Sequence, residues 1–189
     1  MDKPSESLIK KAQAGDRRAL NRLFTSWYQP VYGIAYRYFG DADTAREISQ
    51  QAFLTVQEKL PGLADPGSFK VWLYRTVINL CHLQVRSTQT RQRNHDGFGY
   101  LRSRDKTPDP EEIYHRQERT QLVLTALQQL PPEQRTVLIM KEYEELKFRE
   151  IADILDLPEN TVKSRLYYGL KALRKFFIAN NLKKEFYHE

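Results

Sequence analysis

Asn160, Lys163, Ser164, Tyr167, Tyr168 and Lys171 recur at intervals of three and four residues, so a helix over this stretch would carry all six on one face. Their amide, ammonium and hydroxyl groups suit phosphate oxygens and base edges, and asparagine can pair with an adenine edge. The start of such a helix also offers backbone N–H groups to a phosphate. A second set, Trp72, Tyr74, Arg75, Asn79, His82 and Arg86, mixes aromatic faces with cations and an amide. Such a surface stacks unpaired bases and tracks a phosphate backbone. Both sets bind rather than react.

Reactive chemistry has no comparable signature. The sequence holds no Gly-rich phosphate loop, nucleophile elbow or zinc-type Cys/His pattern. His82, His95, His115 and His188 are scattered, without metal-like spacing. Glu142, Glu144 and Glu145 fall in a helical stretch with lysines nearby and read as a solvated face. No catalytic residue, metal ligand or cofactor is expected. The single cysteine, Cys81, lies in an apolar helical stretch and reads as a packed thiol. One cysteine permits no internal disulfide, which suits a reducing compartment. No apolar run approaches the roughly 20 residues that span a bilayer, and the first residues lack an apolar signal core. A cytoplasmic protein without membrane insertion is expected.

The chain has 189 residues, 40% hydrophobic and 29% charged, as in ordinary globular proteins. Its net charge of +6 is unevenly spread. Residues 1–86 carry 12 basic and 8 acidic groups, residues 111–156 carry 6 and 10, and residues 157–189 carry 7 and 3. A basic end on a balanced chain favours a polyanionic partner.

Helical periodicity runs through most of the chain and no alternating strand appears. Ser5 is placed to cap a first helix ending at Gly15, and Asp16 a second carrying Leu20, Leu23, Phe24 and Trp27. Pro30 reads as the first turn of a continuation that Gly40 closes. Asp43 opens a further helix through Leu60. Pro61-Gly62 and Asp65-Pro66-Gly67 mark a loop, after which a long helix runs from about Phe69 to Val85. Its apolar stripe is Phe69, Leu73, Thr76, Val77 and Leu80. Residues 87–110 are polar, basic and interrupted by glycine and proline, as linkers are. Helices resume near Glu111, break at Pro131-Pro132, and continue as 133–144, 147–155 and about 160–178. The last two, joined across Asp156-Leu157-Pro158, form a helix-turn-helix in which Val162, Leu166, Gly169 and Leu173 face inward.

Six segments carry a family resemblance. Leu130-Pro131-Pro132-Glu133-Gln134-Arg135, Phe148 to Asp153, and Asn160-Thr161-Val162-Lys163-Ser164-Arg165-Leu166 together resemble the promoter-reading C-terminal domain of extracytoplasmic-function (ECF) sigma factors of bacterial RNA polymerase. Phe24 to Asp41 looks like the opening helices of that family, and Gln50-Gln51-Ala52-Phe53 like its polymerase-gripping segment. Gly67 to Arg75, followed by Asn79, looks like the helix that melts and reads the minus-ten element. A free-standing helix-turn-helix regulator would leave residues 8–86 without a role.

The resemblance implies an all-α fold of two small helical domains, the C-terminal one a helix-turn-helix. Residues 1–86 would bind core polymerase and melt the minus-ten element, 87–111 would be a flexible linker, 112–180 would read the minus-thirty-five element, and 181–189 would be a tail. Minus-thirty-five contacts are expected from Asn160, Thr161, Lys163, Ser164, Arg165, Tyr167, Tyr168 and Lys171. Minus-ten contacts are expected from Ser68, Lys70, Trp72, Tyr74, Arg75, Asn79, His82 and Arg86, with the 61–68 loop forming a pocket for an extruded base. Polymerase contacts are expected from Glu47, Gln50, Gln51 and Phe53. The partners implied are core RNA polymerase, promoter DNA and an anti-sigma factor. Two departures stand out: Arg46-Glu47 replaces the family's usual acidic pair, and Tyr168 and Leu170 stand where arginines are common.

Overall fold

The computed structural model describes residues 5–94 and 110–180, with side chains for 5–88 and 119–180. These residues form eight α-helices and two single-turn 3-10 helices, with no strand among them. The order is α1 (Glu6–Gln13), α2 (Arg17–Phe39), α3 (Ala42–Lys59), the 3-10 turns Leu60–Gly62 and Pro66–Ser68, α4 (Phe69–Asn94), α5 (Pro110–Gln128), α6 (Pro132–Glu142), α7 (Phe148–Leu155) and α8 (Glu159–Ala179). The first four helices make one bundle and the last four a second.

Local chemistry explains most boundaries. The Ser5 hydroxyl accepts the Leu8 N–H at 3.4 Å, and the Asp16 carboxylate accepts those of Arg18 and Ala19 at 2.8 and 3.1 Å. α3 starts at Ala42 rather than after Asp43, because Asp41 accepts the Thr44 N–H at 2.7 Å and is the true cap. That bond holds the Asp41 carboxyl below its ordinary value. α2 does not break at Pro30 but runs through it. A buried stripe of Leu23, Trp27, Val31, Ile34, Ala35 and Tyr38 spans the proline on both sides. Burying each large member contributes about 1.5–3 kcal/mol, enough to offset a missing backbone bond.

α4 continues to Asn94, into the segment read as linker, because no glycine or proline interrupts 69–94. The rest of that segment as far as residue 109, and the tail 181–189, lie outside the described residues. The buried stripe of α4 is Phe69, Leu73, Tyr74, Val77, Ile78 and Cys81, so Thr76 and Leu80 sit at its margin. The Cys81 thiol is fully buried, and burial pushes its pKa up.

The two bundles touch. Buried side chains from Ile9 through Cys81 and from Leu127 through Leu166 form one continuous apolar cluster. At its edge the Arg135 guanidinium, 8% exposed, donates to the carbonyls of Tyr38 at 2.9 Å, Gln128 at 2.7 Å and Leu130 at 3.0 Å. It thereby satisfies orphan carbonyls at the ends of α2 and α5 together. Gln128 Nε2 donates to Phe39 O at 2.8 Å beside Gly40, the left-handed cap of α2.

Candidate nucleic-acid interface

α7 and α8 build the first surface. Lys147 N–H donates to Glu150 at 2.8 Å, closing the N-terminus of α7. Asp156 ends the helix in the left-handed region, with φ 55°, and its N–H returns to Ala152 O. Leu157 N–H bonds the same carbonyl at 3.1 Å, so the turn is tight and α8 restarts at Glu159. Val162, Leu166 and Gly169 are buried, with Leu173 partly so, and Gly169 lies against Gln134 and Leu138 of α6. Asn160, Lys163, Ser164, Tyr167, Tyr168 and Lys171 are all exposed, and the two tyrosines are 62% and 56% exposed. α8 starts without a side-chain cap, and the Thr161 N–H closes its first turn on Pro158 O at 2.9 Å. Thr161 and Arg165 are half-buried at the margin of this face. Lys163 is paired with Glu159 at 2.7 Å, an exposed contact of little energy.

α4 presents the second surface, and its members are differently placed. Asn79, Arg75 and Arg86 are exposed, whereas Trp72 is half-buried and packs on the core beside Phe69, 5.9 Å between rings. The Ser68 hydroxyl donates to Asp65 O at 2.7 Å in the 3-10 turn that precedes the helix. Tyr74, 5% exposed, sits edge-on to Trp27 and donates its hydroxyl to Glu144 at 2.8 Å. Lys70 Nζ pairs with Glu150 at 2.9 Å. Arg75 donates to Ile154 O at 2.9 Å and to Asp153 O at 2.6 Å, the open carbonyls at the end of α7. His82 Nε2 lies 3.1 Å from Thr136 Oγ1. Since Thr136 donates to Pro132 O at 2.8 Å, the imidazole N–H donates and the hydroxyl accepts. Lys70, Tyr74, Arg75 and His82, of the seven candidates on α4, are thus bonded to the C-terminal bundle.

Glu144 corrects the reading of its cluster as a solvated face. α6 ends at Glu142, and Glu144 follows it as a side chain only 10% exposed, 4.0 Å from Arg37. Burial holds its carboxyl above the ordinary value, against the opposing pull of Tyr74, Arg37 and Lys70. Burial, with Glu144 beside it, raises the Tyr74 phenol as well. The His82 imidazole is held below its ordinary value by burial.

A third surface joins α2 and α3. Phe24, Tyr28, Gln50, Phe53, Leu54 and Gln57 line an open apolar groove of about 320 Å³. Leu54 is 65% exposed there, and the Phe24 and Phe53 rings lie 4.8 Å apart. Tyr28, Tyr32 and Tyr36 stack along α2 at 5.9 Å intervals and extend the apolar rim. Glu47, Gln50 and Gln51 are exposed on α3, with Gln51 donating to Glu47 at 3.4 Å. Phe53 is half-buried. Sequence reasoning picked Gln50 and Phe53 but missed the α2 wall. Tyr28 and Leu54, large apolar residues off the core stripe, were the available signal.

Among the described residues no group of three or more His, Cys, Asp or Glu could hold a metal. No helix among them is long and apolar enough to cross a membrane.

Comparison with known proteins agrees with this arrangement. Residues 23–91 match the Sigma-70 region 2 family and residues 120–173 the Sigma-70 region 4 family. The chain is 30% identical to the ECF RNA polymerase sigma factor SigE of Mycolicibacterium smegmatis, over 93% of its own length and 68% of that protein's. It is 29% identical to the RNA polymerase sigma-H factor of Pseudomonas aeruginosa, over 90% and 92% respectively. In fold it resembles CnrH, solved with the cytosolic domain of CnrY, at a TM-score of 0.71 and 21% identity over 94% of this chain and 99% of that one. It also resembles RpoE of Bartonella quintana, solved with the anti-sigma factor NepR, at 0.68 and 18% over 87% and 97%. With both regions present in order and the relatedness running through the whole described chain, the protein belongs to the ECF RNA polymerase sigma factors.

Proposed function

We infer that this chain is a promoter-specificity subunit: it binds core RNA polymerase and directs initiation by reading the minus-ten and minus-thirty-five elements. One observation carries the residue-level reading. The exposed face of α8 holds every amide, hydroxyl and ammonium group that its spacing predicts, while its opposite face is buried. In our assignment Asn160 and Ser164 read base edges, and Lys163 and Lys171 hold phosphates. Thr161 and Arg165 act at the margin, and Tyr167 and Tyr168 supply apolar contact. On α4, Asn79, Trp72, Arg86, Lys70, Tyr74, Arg75 and His82 act on the melted minus-ten strand, with Ser68 at its start. Glu47, Gln50, Gln51 and Phe53, with the groove between α2 and α3, dock on core polymerase. The domain division 1–86, 87–111 and 112–180 follows the same reading.

Such a subunit works in the cytoplasm, where core polymerase is. The related folds captured with the cytosolic domain of CnrY and with an anti-sigma factor support an inhibitory protein partner for this chain too. The chain performs no catalysis of its own. Core polymerase mixed with the purified protein, on a library of duplex promoters, tests the function. Specific run-off RNA appearing only with both components is the expected result, and stable duplex selection by the protein without core would contradict it.

A further inference from the structure

α1 lies along both 3-10 turns that lead into α4. Ile9 and Ala12 bury it in the N-terminal bundle, and it precedes the residues 23–91 that match Sigma-70 region 2. From its last turn Gln13 reaches 47 and 50 residues along the chain: its Nε2 donates to Leu60 O at 3.1 Å and to Leu63 O at 2.7 Å. Leu63 is extended, with φ −70° and ψ 110°, and stands between the two turns, so no helix supplies its carbonyl with a donor. At the other end of α1, Glu6 approaches the second turn: a Cβ on Gly67 would lie 3.5 Å from its Oε1. The stretch 60–68 itself buries little, with Pro61, Gly62, Ala64, Asp65 and Gly67 exposed. Its own bonds are local, from the Gly67 N–H to the Asp65 carboxylate at 2.9 Å and from the Ser68 hydroxyl to Asp65 O at 2.7 Å. Gln13 supplies the hydrogen bonds that tie it to the bundle.

We propose that Gln13 is a positioning residue for base selection in the minus-ten element: it holds the 60–68 stretch in one conformation, so that a base extruded beside Ser68 meets fixed partners. The inference rests on the reading in which this stretch receives such a base and α4 the melted strand. A base taken out of the stack is read by hydrogen bonds to its edge. Such bonds discriminate only while donor and acceptor are held to about 0.5 Å. An exposed loop with few buried contacts opens at little cost. Loosening it therefore reduces the difference between right and wrong bases more than it reduces binding of the strand, whose phosphates are assigned to the cations of α4. The amide suits this task, because its NH2 group offers two donors to two carbonyls at once.

The test is selection on duplex promoters randomised in both elements, using full-length protein with core polymerase. Gln13→Glu keeps the size of the side chain but turns a carboxylate toward two carbonyl oxygens. Gln13→Ala removes the donors without adding charge. In each, discrimination at one minus-ten position should fall about fivefold, the worth of one hydrogen bond. Minus-thirty-five preference and core affinity should stay as in the wild type. Gln13→Lys offers ammonium donors to the same carbonyls and should restore the discrimination. Gly40→Ala lowers the stability of the same bundle away from the loop and should leave minus-ten preference intact, which separates positioning from a general loss of fold. Unchanged minus-ten preference in Gln13→Glu or Gln13→Ala overturns the proposal. So does relaxed preference that persists in Gln13→Lys, or equal relaxation in Gly40→Ala. Failure of the minus-ten reading itself would show elsewhere: Ser68→Ala and Asn79→Ala holoenzymes with unaltered minus-ten preference and normal initiation on duplex promoters.

Discussion

Asn79 and the α8 side chains show how far one residue's chemistry can be separated from its neighbours'. Lys163 and Lys171 stand on the exposed face as point charges. Replacing either by alanine should weaken promoter binding across sequences and lower the salt slope by about 1, as loss of one phosphate contact does. Asn160→Ala or Ser164→Ala should instead shift preference at one or two base positions, at about 1–3 kcal/mol each. Holoenzyme selection on randomised promoters measures both effects. Asn79 is exposed on α4 and lies outside the contacts that tie α4 to α6 and α7. Asn79→Ala should therefore keep core affinity and lower initiation from duplex DNA, with activity recovered on a template pre-melted over the minus-ten region to the extent that melting was the lost step. Run-off yield on the two templates, set beside core affinity, reads this out.

Between helices, the junction of α2 with α5 and α6 depends on one glycine. Gly40 has φ 68°, and a Cβ there would overlap Gln128 Nε2, which reaches across to Phe39 O. Gly40→Ala should cost about 1–2 kcal/mol from the left-handed backbone alone, with a further loss from displacing Gln128, seen as a lowered denaturation midpoint. His82 gives the α4–α6 contact a pH dependence. Its imidazole is held below the ordinary value by burial first, while Glu133 pulls the other way and Arg86 and Arg165 add to the depression. A depressed folded value means the contribution is complete above the ordinary histidine value, about 6.5, and is lost as pH falls through the lowered one. Glu144 works in the opposite sense, since its raised value makes acidification favour the buried, protonated form. Comparing wild type with His82→Gln isolates the first effect. Between about pH 7 and 5 the wild type should lose more stability than the variant, measured by chemical denaturation at each pH.

At the scale of the whole molecule, each helix assigned to DNA in our reading offers a small area, and the two are joined through residues 95–109. Free protein should bind duplex promoters weakly, whereas with core polymerase the spacing is set and the second element is met at raised effective concentration. Anisotropy of one labelled promoter, titrated with the protein alone and with holoenzyme, compares them. The groove of Phe24, Tyr28, Phe53 and Leu54 belongs to the same scale, because a contiguous exposed apolar surface marks a protein contact. Phe53→Ala or Leu54→Ala should weaken core binding without changing promoter preference in the holoenzyme that still forms, as measured by core affinity and by promoter selection.

Helix order, the helix-turn-helix and the six-residue face of α8 were legible in the sequence because each depends on spacing within one element. A 3.6-residue period decides which side chains share a face, whatever the neighbouring helix does. Caps such as Ser5 and Asp16 are likewise local. Tyr74, Lys70, Arg75, His82 and Glu144 were legible only as residue types. Their partners lie 54 to 80 residues away in the chain, and no periodicity encodes a pairing at that distance. The same holds for Arg135, whose role appears only when the ends of α2 and α5 converge on it with three carbonyls. Pro30, read as the first turn of a continuation, instead lies inside α2 for a related reason: burial of the stripe on both sides outweighs the lost backbone bond. The sequence by itself thus determined the elements and the chemistry each carries. Tertiary structure alone decided which of that chemistry faces outward, because exposure depends on the other bundle and not on the helix that bears the residue.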